Sequence, residues 1–157
     1  MNRKTNQDEL RAKHYLQTLP HSKLEYEPLG NVTPDFVIDD SIAVEVRRLN
    51  RNYVENEHLV SVEDFDTPIK DSIKKDNFSW VLHELYKNIQ LVIDEKNEKI
   101  NKNFSLYDEW WLLLVDNITY GIEDKYFQEL KKMKLQKYKF TKVIIISPEG
   151  DFEALEF

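Results

Sequence analysis

Residues 33–50 read TPDFVIDDSIAVEVRRLN, and the parity of this stretch decides what can be built around it. Side chains alternate across a strand. With strands at Asp35–Ile38 and Ile42–Leu49, the even positions Phe36, Ile38, Ile42, Val44 and Val46 are all apolar. The odd positions carry Asp35, Val37, Ala43, Glu45 and Arg47. A three-residue turn, Asp39–Ser41, pairs Ile38 with Ile42 and keeps the two sets apart; a two-residue turn would mix them. In the favoured register Asp35 lies opposite Glu45, with Arg47 on their face. Like charges so placed repel, at a cost of about 0.2–1 kcal/mol on an exposed sheet. Solvent, Arg47 or a divalent cation can relieve them. A hairpin with one face in water accounts for the same residues as a covered face built around a metal ion.

Upstream, Ala12, Tyr15, Leu16 and Leu19 form one apolar stripe, predicting a helix over 8–19 that Pro20 ends. Glu9 falls on that stripe near its N-terminal end, where a helix also favours an acid. Leu24–Leu29 alternates as a strand closed by Pro28 and Gly30. Downstream, residues 50–77 are polar with few periodic apolar positions and read as a long loop. Phe78, Leu82, Leu85, Ile89 and Val92 predict a helix over 78–96. Trp110–Val115 and Val143–Ile146 are apolar on both faces, as buried parallel strands are. They flank a third helix over 122–133, a strand–helix–strand crossover. The tail DFEALEF has the look of a short edge strand. The expected fold is α/β, a mixed sheet flanked by helices in the order αβββαβαβ, forming one domain over 1–157 with residues 1–7 disordered.

Composition narrows the function classes. The chain has 41% hydrophobic and 32% charged residues and only three Gly, as folded proteins do. It has no Cys, which excludes disulfides, thiolate metal sites and a cysteine nucleophile. The amino-terminal residues form no signal-peptide pattern, and no apolar run is long enough to span a bilayer. A cytoplasmic location without membrane contact is expected, and the oligomeric state is open. The net charge of −7 argues against non-specific coating of nucleic acid. Even so, residues 131–142 hold six lysines and no acid. Lys131, Lys132, Lys134 and Lys137 mark either a solvated helix end or a phosphate-facing patch.

Pro34-Asp35, nine intervening residues, then Glu45-Val46-Arg47 resembles the motif of the PD-(D/E)XK nuclease superfamily, whose fold is restriction-endonuclease-like. The core order helix, three strands, helix, strand matches over about residues 8–115. The resemblance implies that Asp35 and Glu45 bind Mg²⁺, with Mn²⁺ as a substitute, and that Glu9 is the acid some members carry on the first helix. Arg47 occupies the position of the motif lysine. Arginine keeps its proton at any working pH, so it can pair with phosphate or offset charge but cannot act as a general base. Two functions follow. One is a Mg²⁺-dependent nuclease hydrolysing DNA phosphodiesters, with Asp35, Glu45, Arg47 and Glu9 as its catalytic residues. The other is a catalytically inactive relative that binds nucleic acid or protein.

Other candidates carry less. His14, His21, His58 and His83 have no metal-ligand spacing, and His83 falls on the polar face of its helix. Trp110 and Trp111 read as packing residues, Asp116 as a turn residue, and Arg48 points away from the carboxylates. There is no glycine-rich phosphate loop and no nucleophile elbow.

Overall fold

The computed structural model describes residues 7–30, 32–50, 52–55, 58–61, 78–116, 128–132, 134–147 and 154–157. In chain order the elements are α1 (Gln7–Gln17), β1 (Leu24–Tyr26), β2 (Phe36–Ile38), β3 (Ile42–Leu49), β4 (Asn52–Glu55), β5 (His58–Ser61), α2 (Phe78–Ile100), a short 3₁₀ turn (Phe104–Leu106), β6 (Glu109–Asp116), β7 (Lys142–Ile146) and β8 (Leu155–Glu156). Six strands form one mixed sheet in the order β1-β2-β3-β6-β7-β8. β3, β6 and β7 are parallel at its centre, whereas β1, β2 and β8 run antiparallel to their neighbours.

The α/β class and the mixed sheet agree with the sequence reading, but the element order differs from αβββαβαβ. Residues 50–77 were expected to be a loop. They include an antiparallel hairpin, β4–β5, that forms a separate two-stranded sheet. The closing edge strand β8 pairs with β7. Of the helix expected over 122–133, residues 128–130 are helical and 134 onward is not; 117–127 and 133 lie outside the described residues. The expected disorder of residues 1–7 lies outside them too, apart from Gln7, which begins α1. α2 runs one turn past its expected end at Lys96, because the apolar stripe of Leu82, Leu85, Ile89 and Val92 reaches on to a fully buried Ile100. β1 stops early because Glu27 takes a left-handed backbone conformation, φ 45°, ahead of Pro28.

The hairpin register is the expected one, with Ile38 paired to Ile42 and Phe36 to Val44. Its turn puts Asp39 and Asp40 at φ 50° and 61°, a region that Asp tolerates better than most residues because its short side chain bonds locally. The Asp39 carboxylate accepts the amides of Ser22 and Lys23 at 2.8 and 2.7 Å, tying this turn to the chain entering β1.

Parity then sorts the core into two layers. Phe36, Ile38, Val44 and Val46 pack with Ala12 and Leu16 of α1, together with Leu113, Val115, Ile144 and Ile146. Ala43, Leu49, Leu112, Leu114, Val143 and Ile145 pack against Leu82, Leu85, Ile89 and Val92 of α2. Both faces are therefore covered, and each buried aliphatic side chain contributes roughly 1.5–3 kcal/mol of transfer free energy. The consequence for function is direct: the odd face of β3, with Glu45 and Arg47, lies under α2 and not in open solvent.

Candidate active site

Glu45 stands in the middle of the long central strand β3, and its side chain is 1% exposed. Its position is dictated by register: Ala43 before it and Leu49 after it belong to the α2-side core. Lys96 of α2 reaches it from above, placing Nζ 3.1 Å from Oε2, and is itself only 12% exposed. The other carboxylate oxygen, Oε1, is buried and has no hydrogen-bond partner among the described residues. Buried polar atoms are nearly always paired, so an orphaned carboxylate oxygen marks an unusual site.

Asp35 immediately precedes β2. Its amide donates to Val44 O at 3.0 Å, while its Oδ2 accepts the Val46 amide at 2.8 Å. The β2–β3 ladder ends at Phe36–Val44, and Asp35 reaches across toward β3 from the next position. Its charge acts on Glu45. Burial, chiefly, pushes the Glu45 carboxyl up from its usual 4.5 to about 7; Asp35 adds to the rise, and Lys96 and Lys99 oppose it.

Arg47, two residues along the same face, has Nε 3.4 Å from Glu95 Oε1. Lys99 Nζ lies 3.9 Å from the same oxygen. The arginine in the motif position is thus turned toward an acid of α2, and the ammonium closest to Glu45 comes from the helix. Lys96 and Lys99 were not identified from sequence, yet a signal existed. Continuing the stripe through Ile89 and Val92 puts Lys96 at an inward position, a charge where a hydrophobe is expected.

Glu9 is buried on α1, and Tyr26 donates a 2.6 Å hydrogen bond to its Oε2. It shares the α1-side layer with Ala12 and Leu16, whereas Glu45 faces α2. The sheet therefore lies between Glu9 and Glu45. Arg48 points away from Glu45, as parity requires, and pairs with Asp8 at 2.9 Å. Among the described residues no three His, Asp or Glu side chains converge as a possible metal site. Two carboxylates remain, Asp35 and Glu45, the second with its Oε1 unpaired among the described residues; such a donor set fits a hard divalent cation that completes its shell with water and substrate oxygens.

A cavity of about 380 Å³ adjoins this region, lined by Val32, Thr33, Lys99, Lys102 and Asn103. The lysines at 131, 132 and 134 are exposed and Lys137 is half-buried. Lys132 pairs with Glu129 at 2.7 Å, and Lys137 donates to Thr141 O. The segment they lead into runs beside α2, where Asn97 accepts the Lys139 amide and donates to Lys137 O. His83 is exposed, as expected. Trp110 is buried and donates from its indole to Phe104 O, and Asp116 is buried at the end of β6. No helix among the described residues is long and apolar enough to cross a membrane.

Comparison with protein-family models, with curated proteins and with solved structures returns no match to this chain.

Proposed function

We propose that this chain is a divalent-cation-dependent phosphodiester hydrolase of the restriction-endonuclease-like type, acting on nucleic acid, with Asp35 and Glu45 as its metal ligands. The observation that carries the reading is the buried Glu45 Oε1, which has no hydrogen-bond partner among the described residues and feels the charge of a second carboxylate, Asp35. A bare carboxylate in that setting is costly, and a cation such as Mg²⁺ or Mn²⁺ relieves both the repulsion and the unsatisfied oxygen. When bound, the cation supplies charge neutralisation at the phosphoryl oxygens and acidifies water.

The chain's own residues have distinct tasks. Asp35 is held in place by the Val46 amide, so its carboxylate does not have to be ordered at the moment of reaction. Lys96 supplies the positive charge that offsets the extra negative charge gathering on the phosphate as water attacks phosphorus and the bond to the leaving oxygen breaks. Arg47 keeps its proton and, paired with Glu95, balances charge at the edge of the site. Glu9 takes no part in this scheme.

A second reading, an inactive domain that binds nucleic acid or protein, is favoured by one observation: Lys96 and Arg47 both have internal carboxylate partners. Cleavage assays separate the two. Incubated with plasmid and single-stranded DNA in Mg²⁺ or Mn²⁺, the wild type cuts, EDTA stops it, and Asp35→Ala and Glu45→Ala each abolish the activity. Cutting that survives Glu45→Ala, or no cutting under any divalent ion, rejects the hydrolase.

A further inference from the structure

We propose that the cavity of about 350 Å³ between the outer face of α2 and the 134–140 segment receives an arginine side chain of a partner protein. Tyr138 is its stacking platform, and Asp94 and Glu98 are its carboxylate partners. The inference is independent of the hydrolase reading, because this face of α2 is not the one from which Lys96 reaches Glu45.

The α2 wall can be traced to the sequence. Asp94, Asn97, Glu98 and Asn101 follow at i, i+3, i+4 and i+7, so they share one stripe that holds acids and amides and no lysine. All four line the cavity; Asp94, Glu98 and Asn101 are exposed and Asn97 is half-buried. Asp94 and Glu98, one turn apart, are near neighbours on the helix surface. Asp94 Oδ1 accepts a 3.0 Å hydrogen bond from Gln90, and Glu98 has no ion pair among the described residues.

The opposite wall presents an aromatic ring. Tyr138 is 67% exposed, more than any other large hydrophobic side chain among the described residues. Its φ of 53° is left-handed, a region that bulky residues rarely occupy. Asn97 holds it there from both sides, donating to Lys137 O at 3.2 Å and accepting the Lys139 amide at 3.0 Å. Gln90 likewise bonds both the amide and the carbonyl of Gln136. The ring is therefore carried by a fixed segment. Lys139 also lines the cavity, with its Nζ drawn to the Phe104 ring, 5.1 Å from the centroid.

The paired chemistry selects the ligand. A planar guanidinium stacks on a phenol ring while donating in its own plane to a carboxylate, which a compact ammonium does less well. A neutral ligand leaves the acids without a counter-charge, and an anion is repelled by them. A chain of net charge −7 attracts a basic partner. Free arginine brings an α-carboxylate to a site that already holds two acids, whereas an arginine within a polypeptide does not; this favours a protein as the source.

The test is a titration of the isotope-labelled full chain with the peptide acetyl-Gly-Gly-Arg-Gly-Gly-amide, followed by amide chemical shifts in NMR spectra. Wild type is expected to show saturable shifts at Asn97, Asn101, Tyr138 and Lys139, with a millimolar Kd. The same peptide with lysine, and free L-arginine, are each expected to bind about threefold more weakly, and the peptide with uncharged citrulline about tenfold more weakly. Tyr138→Gly, which suits the left-handed backbone, is expected to weaken binding about fivefold, while Tyr138→Phe keeps it within about twofold. Asp94→Asn combined with Glu98→Gln is expected to remove saturable binding. The altered side chains are exposed, and an unchanged melting temperature establishes that the variants fold. No saturable shifts in wild type, shifts confined to other residues, or unchanged affinity in Tyr138→Gly or in the double acid variant each overturn the site. Citrulline binding as well as arginine does the same, and free L-arginine binding as tightly as the peptide overturns the protein partner. None of these outcomes bears on cleavage of DNA, so the site and the hydrolase stand or fall separately.

Discussion

The buried Glu45 makes the stability of this protein fall as pH rises, the opposite of what an ordinary ion-paired acid does. Its folded carboxyl titrates near 7, against 4.5 for the unshifted group. Below about pH 4.5 the proton is bound in both states and the site costs nothing. Between 4.5 and 7 the folded protein holds the proton that the unfolded chain has released, and stability declines. Above 7 both states are ionised and the full penalty is present. At 1.36 kcal/mol per pH unit the loss amounts to about 3 kcal/mol. Other acids titrate as well; Asp40, held below its usual range by Lys23, contributes in the opposite direction. The comparison with Glu45→Gln isolates the effect. Urea unfolding of wild type and variant from pH 5 to pH 8.5, in EDTA, should show the wild type losing about 2.5 kcal/mol relative to the variant, the part of the loss that lies above pH 5. Removing the Lys96 partner shifts the variant's absolute stability, so the informative quantity is how the difference changes with pH. A difference constant to within about 0.5 kcal/mol across that range refutes the description of Glu45 as a buried acid whose desolvation Lys96 offsets only in part.

Other perturbations probe the same network. Lys96→Met removes the counterion of a buried carboxylate and should cost about 3–5 kcal/mol at pH 8 by urea unfolding, with a smaller loss at pH 5, where Glu45 takes up its proton. Leu85→Ala opens the fully buried α2 interface and should cost about 2–5 kcal/mol. Asn97→Ala loses bonds to Ile93 O, Lys137 O and the Lys139 amide, and should lower stability by about 2 kcal/mol; it should also speed hydrogen exchange at Lys139. Arg47→Lys should leave cleavage within about threefold of wild type, because Lys96 carries the charge beside Glu45; a gain of a hundredfold would assign that task to position 47 instead.

Much of this organisation was legible in residues 33–50. The even set, Phe36 to Val46, packs under α1, and the odd set under α2, because a three-residue turn holds Ile38 to Ile42. The doubly apolar strands around Leu113 and Ile145 announced a sheet covered on both sides. The hairpin β4–β5 was not legible, since NYVE and HLVS lack the alternation that marks a half-buried strand. Glu9 illustrates a different limit. Its helical stripe was readable, but the side of the sheet that stripe covers is set by tertiary packing. Lys96 is 51 positions from Glu45, and only the docking of α2 brings their side chains together. Pattern fixes which residues share an element face; the meeting of two faces follows from packing.

Whether Asp35 and Glu45 together bind a divalent cation is decided by Mn²⁺ binding measured by electron paramagnetic resonance at pH 8. The free-ion signal should diminish as wild type is added, by one Mn²⁺ per chain at saturation, and Mg²⁺ should compete the ion off. Asp35→Ala and Glu45→Ala should leave the signal at its full height. A wild type that binds no Mn²⁺, or an Asp35→Ala variant that binds it as well as wild type, contradicts the claim.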